Sequence, residues 1–252
     1  MEQLNSASKI FAVLETLCSD GDLRVAELSR KLSLGKSSVH RFLSILKKLG
    51  YVEKNQNSKK YFATLKLFEI GAMVRGRNRL VNIARPYMEE LGNKFHETVN
   101  LGLLDGDEVV YVDKVESIQT LRMDLTIGRR VPAYCTALGK IFLAYLPEEN
   151  LARYCRETRL KPLVQKTITS ARELIKNLEL VRKEGLAIDD GEFDSGIRCI
   201  AAPVRDDSGR VVAAVSVAGP RIRLTMERLK SFKQPLLEAT RMISQKLGYI
   251  KF

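Results

Sequence analysis

What most limits how this chain can fold is a change of hydrophobic period along it. Between residues 6 and 49 apolar side chains recur at the three- and four-residue spacing of helices, and past residue 98 they gather in short runs broken by tight turns. Helices mixed with hairpins make an α+β chain with a mainly antiparallel sheet. Near the start Ile10, Phe11, Val13, Leu14, Leu17 and Cys18 trace one helix, with Ser6 or Ser8 as its expected cap and Asp20-Gly21 as its stop. Val25, Leu28 and Leu32 trace a second, which ends at Ser33-Leu34-Gly35. A third starts at Lys36 or Ser37 and carries the inward stripe Val39, Phe42, Leu43, Leu46 and Leu49. Gly50 closes it, and Tyr51 to Lys54 and Lys59 to Phe62 read as strands around Asn55-Gln56-Asn57-Ser58. That order of elements is a winged helix-turn-helix.

The outer face of the third helix holds Ser37, His40, Arg41, Ser44, Lys47 and Lys48. A helix fits the major groove of DNA, and its N-terminal residues reach the base edges. Ser37, Ser38, His40 and Arg41 are therefore the candidate readers, with Lys36 a further DNA-binding residue beside them, while Lys47, Lys48, Lys59 and Lys60 suit phosphates. Charge agrees with this placement: of a formal net +12, residues 1–80 carry 15 basic and 7 acidic side chains. A polyanion should meet the N-terminal third, and the polyanion expected is double-stranded DNA.

Residues 65–78 hold Leu65, Leu67, Phe68, Ile70, Met73 and Val74 ahead of the polar stretch Arg75 to Arg79, which reads as a linker. So many apolar side chains on one short helix predict pairing with a second copy of the chain, as a homodimer or homotetramer on a palindromic operator. Leu80, Ala84, Met88, Leu91 and Phe95 follow at helical spacing, with Pro86 as a kink or a start. Hairpins are expected about Asp105-Gly106-Asp107 and Asp206-Asp207-Ser208-Gly209, and helices about 136–145, 147–156, 171–184 and 224–247. The domains read as 1–64 for DNA, 65–78 for the linker helix and 79–252 for an effector unit. Cys18, Cys135, Cys155 and Cys199 form no CxxC pair, which suits a reducing cytoplasm and argues against zinc ribbons and disulfides. No metal, cofactor, catalytic constellation or membrane span is expected, and no GxGxxG or GxxxxGK[ST] loop is present.

The chain resembles the IclR-type bacterial transcriptional regulators over nearly its whole length. The resemblance rests on Val25-Ala26-Glu27-Leu28, Lys36-Ser37-Ser38-Val39-His40-Arg41 and Leu49-Gly50-Tyr51-Val52, then on Glu97-Thr98-Val99-Asn100-Leu101 and Ala137-Leu138-Gly139-Lys140. Its most specific part runs from Gly185 through Asp189, Glu192, Cys199-Ile200-Ala201 and Val204 to Asp206, with Arg205 where the pattern usually has an aromatic residue or His. It implies a GAF-like effector domain that binds a small carboxylate, and no enzyme. Carried over by position, the effector would meet the N–H groups of Ala137 and Leu138, the side chains of Asp189, Cys199 and Ser216, and apolar walls from Met123, Val131 and Ile197. Ala218 stands where some members have a second serine.

Within the family, Leu121-Arg122-Met123, Ile127-Gly128-Arg129-Arg130 and Thr64 to Ala72 look most like the 2-keto-3-deoxygluconate repressors. The expected function is a ligand-responsive DNA-binding regulator, by preference a repressor. The competing reading is a thiol redox sensor or small-molecule enzyme that uses Cys199 and is tethered to DNA. A reactive Cys199 needs an accessible, acidified thiol.

Overall fold

Asn5 opens α1 (Ser6–Asp20). Its side-chain oxygen accepts the Ser8 N–H at 2.9 Å, so the cap lies ahead of the serines expected to provide it. After Gly21, at φ 78°, come α2 (Val25–Leu32), a left-handed Ser33 and α3 (Lys36–Lys48). Val39, Phe42, Leu43 and Leu46 bury themselves against Val13, Leu14, Leu17 and Leu28. Leu49, expected in that stripe, is 52% exposed, because it caps α3 beyond the edge of this small core. Strands β1 (Val52–Lys54) and β2 (Tyr61–Ala63) pair antiparallel and are shorter than expected. Lys59 and Lys60 lie ahead of β2, with Lys59 left-handed at φ 59°. Leu23 and Tyr61 exchange backbone bonds of 3.0 and 2.8 Å, which fastens the hairpin to the helices.

The computed structural model describes residues 5–77, 79–122 and 125–250. They fall into two compact units, Met1–Arg77 and Asn78–Phe252. The first ends in α4 (Lys66–Arg77), a helix that continues through the Arg75-Gly76-Arg77 stretch expected as linker. Leu67 packs toward the core of this unit, whereas Leu65, Phe68, Met73 and Val74 are exposed, Leu65 by 78% and Phe68 by 74%.

The second unit opens with α5 (Arg79–Phe95), whose interior contains Pro86, so that proline does not start a helix. Then follow β3 (Thr98–Asp105), β4 (Glu108–Val115), β5 (Arg130–Pro132), α6 (Ala137–Ala144), α7 (Glu148–Glu157), α8 (Ala171–Glu184), β6 (Ala187–Asp189), β7 (Ile197–Arg205), β8 (Val211–Pro220) and α9 (Met226–Lys246). The strands form one antiparallel sheet in the order β5-β4-β3-β8-β7-β6.

Successive strand residues point to opposite faces. Val99, Leu101, Ile200, Ala202, Val204, Val215 and Val217 therefore join Ala84, Met88, Leu91 and Leu236 on the α5 and α9 side, where Phe95 and Phe232 stack with centroids 3.9 Å apart. Ala187, Cys199, Ala201, Ala214 and Ala218 face α6, α7 and α8. These side chains are small, and α6 lies low over them. Gly139 packs on the segment that leads into α6: a Cβ there would come within 2.2 Å of the Ala133 backbone, a distance no side chain accommodates. Arg205 fills its unusual position by laying its guanidinium 4.3 Å above the Tyr145 ring and donating to the Gly209 carbonyl at 2.9 Å.

Candidate functional site

Two regions bring together the residues singled out by the sequence. In the first unit, α2, the turn through Ser33 and α3 place Lys36, Ser37, His40, Arg41, Lys47 and Lys48 in solvent, while Ser38 is half-buried. Lys59 is exposed at the hairpin turn, and Lys60 is half-buried beside it. Arg24 Nε donates to the Ser58 carbonyl at 3.2 Å and Lys66 Nζ to the Leu49 carbonyl at 2.7 Å. Both bonds hold the hairpin and the end of α3 in place. Those two cations were not among the expected contacts, and they serve the scaffold.

In the second unit the helix and sheet converge at the N-terminus of α6. Thr136 caps it, accepting the Gly139 N–H at 3.2 Å, which leaves the Ala137 and Leu138 N–H groups at the helix start with no carbonyl one turn earlier in the helix. Beneath lie two adjacent rungs of the sheet. Asp189, Cys199 and Ala218 are paired across β6, β7 and β8 in one, and Ala201, Ser216 and Asn100 across β7, β8 and β3 in the next. Asp189, Cys199 and Ser216 are buried, as are Ala137, Leu138 and Val131, and Ile197 packs half-buried against the same cluster. Met123, placed here by resemblance, lies outside the described residues.

Charge inside this region is unusual. Lys140 is fully buried in α6, with its amine 2.5 Å from both Glu192 Oε1 and the Ile188 carbonyl. Burial raises the Glu192 carboxyl, and Lys140 opposes that rise. Asp189, desolvated beside them, is pushed up to about 7 although its carboxylate accepts the Glu192 N–H at 2.6 Å. The Lys140–Glu192 pair went unread as a site element. Its sequence signal is a lone lysine within the apolar run Ala137 to Ala144.

Cys199 is buried, and desolvation carries its thiol well above the usual range, with Asp189 adding to the effect. Cys135 is pushed up to about 12 for the same leading reason. A thiol so placed holds no thiolate at neutral pH, which removes the physical basis for a reactive Cys199.

A basic recognition helix on a winged helix-turn-helix, in a chain whose second unit encloses polar groups beneath a helix N-terminus, defines a DNA-binding regulator with a sensing unit. The chain belongs to the IclR family of bacterial transcriptional regulators: residues 6–56 match the IclR helix-turn-helix domain and residues 73–245 the bacterial transcriptional regulator IclR C-terminal domain. It is 39% identical to the HTH-type transcriptional regulator KdgR of Escherichia coli over 98% of this chain and 94% of that one. The KdgR of Dickeya chrysanthemi is equally similar, 39% identical over 98% of this chain and 81% of its own length. Among solved structures, the IclR of Thermotoga maritima superposes with a TM-score of 0.82 at 36% identity, covering 98% of this chain and all of the other. The C-terminal domain of the Escherichia coli KdgR gives 0.62 at 38% identity, over 68% of this chain and 99% of that domain. Among the described residues no helix is long and apolar enough to cross a membrane.

The buried ion pair can be tested directly. Removing one partner strands a charge in the interior and typically costs about 3–5 kcal/mol, whereas replacing both by apolar groups is close to neutral. Lys140→Met should lower the urea midpoint strongly, more at alkaline than at acidic pH because Glu192 escapes its penalty by taking a proton. Lys140→Met with Glu192→Leu should recover most of the loss. A double variant as unstable as the single one would show that the pair is not what Lys140 contributes.

Proposed function

We propose that this regulator is a cytoplasmic repressor whose operator affinity is set by a small carboxylate, with a keto-deoxy sugar acid as the best fit, and that it binds this effector without turning it over. The observation that carries the reading is the meeting of two helix-start N–H groups, without a partner among the described residues, with Asp189, Cys199 and Ser216 in one buried region of the unit. Helix N-termini favour anions through unpaired donors and the helix dipole. In this reading the effector carboxylate takes the Ala137 and Leu138 N–H groups, its hydroxyls reach Asp189 and Ser216, and Val131 and Ile197 cover its carbon chain. An ionised Asp189 would repel such a ligand. A carboxyl with its pKa near 7 is largely neutral below that pH and offers a hydrogen bond in place of a like charge.

The sign of the pH effect follows. Asp189 has its pKa raised from an ordinary 3.8 to about 7, so the folded chain loses stability as pH climbs through that interval, and an anionic effector loses affinity as it passes the upper end. Calorimetry of the full chain with 2-keto-3-deoxygluconate should show affinity falling about tenfold from about pH 6 to about pH 8, and Asp189→Asn should flatten the profile. Binding of benzoate with no heat from any keto-deoxy sugar acid at millimolar concentration would sink the effector class.

For DNA, Ser37, Ser38, His40 and Arg41 read bases, with Lys36 beside them, and Lys47, Lys48, Lys59 and Lys60 hold phosphates. Arg41→Ala should cost about 1–3 kcal/mol on operator DNA and relax preference at one or two base pairs. Lys59→Ala should weaken all sequences alike and flatten the salt dependence. If Arg41→Ala leaves the ratio of operator to random DNA affinity unchanged, α3 is not the reader.

The exposed apolar face of α4 supports association into a homodimer, or a homotetramer built from it, on a palindromic operator. Leu67 faces the core of its own unit, so the exposed side chains are the ones to change. Phe68→Lys with Val74→Lys should give monomers in sedimentation that bind the operator poorly. An intact dimer in that variant would move the interface elsewhere.

A further inference from the structure

The effector residues carried over by resemblance lie on α6, β5, β6, β7 and β8, along with Met123, and leave the β3 and β4 part of the same face unassigned. We propose that Asn100 on β3 and Tyr111 on β4 are effector-contacting, specificity-determining residues that accept the hydroxyl groups of a polyhydroxylated acid. The inference rests on reading this face as the effector site.

Asn100 lies between Val99 and Leu101, which pack toward α5 and α9, so its side chain points to the α6 side. It sits in register with Ser216 and is 0% exposed. Among the described residues its amide nitrogen reaches only the Ser216 hydroxyl, at 3.5 Å, the outer limit of a hydrogen bond. Its carbonyl oxygen is buried with no partner among the described residues. A buried amide ordinarily satisfies its polar atoms, and an orphan acceptor is an uneconomical choice for a core position that an apolar residue could fill. The sheet does not require the amide either, because its other neighbour in register, Lys114, directs its amine to Glu116 at 2.8 Å.

Tyr111 is buried in the cluster that contains Val131, Leu138 and Cys199. Its hydroxyl makes no hydrogen bond to any described residue. Burial, with Cys199 and Asp189 nearby, raises that hydroxyl far above its ordinary range, so it stays neutral and can both donate and accept.

The chemistry of the orphan oxygen selects the ligand. A carboxylate has only acceptors and gains nothing from a carbonyl oxygen, so it belongs at the α6 N–H groups. The Asn100 oxygen needs a donor. On an uncharged stretch of a small acid that donor is a hydroxyl, and the Tyr111 hydroxyl is a second partner for the same kind of group. The β3 and β4 half of the site would thus separate hydroxylated acids from plain keto acids of equal length.

The test uses the full chain, Asn100→Ala, Tyr111→Phe, and calorimetry with 2-keto-3-deoxygluconate, gluconate, 2-oxohexanoate and benzoate. The wild-type chain should prefer a hydroxylated acid to 2-oxohexanoate by roughly tenfold or more, and each variant should lose roughly tenfold on the hydroxylated acid and little on 2-oxohexanoate. The thermal midpoint of unliganded Asn100→Ala should hold or rise, since an unsatisfied group is removed. A wild-type preference for gluconate over the keto acid, erased by the variants, would retire the keto-deoxy sugar acid while supporting the two residues. Tight binding of 2-keto-3-deoxygluconate with its preference intact in both variants would do the reverse. Equal weakening of all acids with a lower unliganded midpoint, or no binding of any of the four by the wild-type chain, would also overturn the proposal.

Discussion

Period-two alternation along β3, β8 and β7 is the constraint on which the rest of the second unit depends. It sorts the branched aliphatic side chains Val99, Leu101, Ile200, Val204, Val215 and Val217 to the α5 and α9 face, and Asn100, Cys199, Ala201, Ala214, Ser216 and Ala218 to the other. The second face is shallow, and α6 packs over it with Ala137 and Leu138 in the same buried cluster as Cys199. A slip of one residue in β7 would exchange the two sets and abolish both the core and the site.

Charge then fixes the arrangement that packing allows. Lys140 binds the end of β6 through the Ile188 carbonyl and the following turn through Glu192. On the opposite flank Glu97, fully buried, takes a two-pronged contact from Arg223 at 2.6 and 2.7 Å and occupies the space where a Cβ on Gly219 would fall. Arg223 also holds the Leu121 carbonyl at 3.0 Å. Buried pairs of this kind add little net stability over apolar packing, yet they penalise heavily any arrangement that separates their members.

Most of this architecture was legible because it is written in local signals. The helix-turn-helix follows from three short amphipathic stretches and their turns, and both large hairpins from aspartate and glycine between β-rich runs. Misreadings arose where tertiary context decides. Leu49 fits the stripe of α3 but extends past the core, Lys59 fits a strand but adopts a turn conformation, and Leu67 fits an exposed helix but faces inward. The α6 half of the candidate site came from resemblance. Asn100 and Tyr111 look like ordinary strand residues until the register places one beside Ser216 and the other within the cluster around Cys199. A buried lysine is harder to read, because a helical lysine is ordinarily a solvated one and only the apolar run around Lys140 marks it.

The glycine at position 139 makes α6 as much a fixture of the main chain as of its side chains. In the proposed reading an anion at its first turn is held by peptide groups, which no substitution other than proline deletes. Descendants of this chain would therefore keep a common grip on acids as a class while their taste for one acid over another drifted freely in the strands below. Such a division lets a lineage acquire new inducers without first surrendering the ability to bind one.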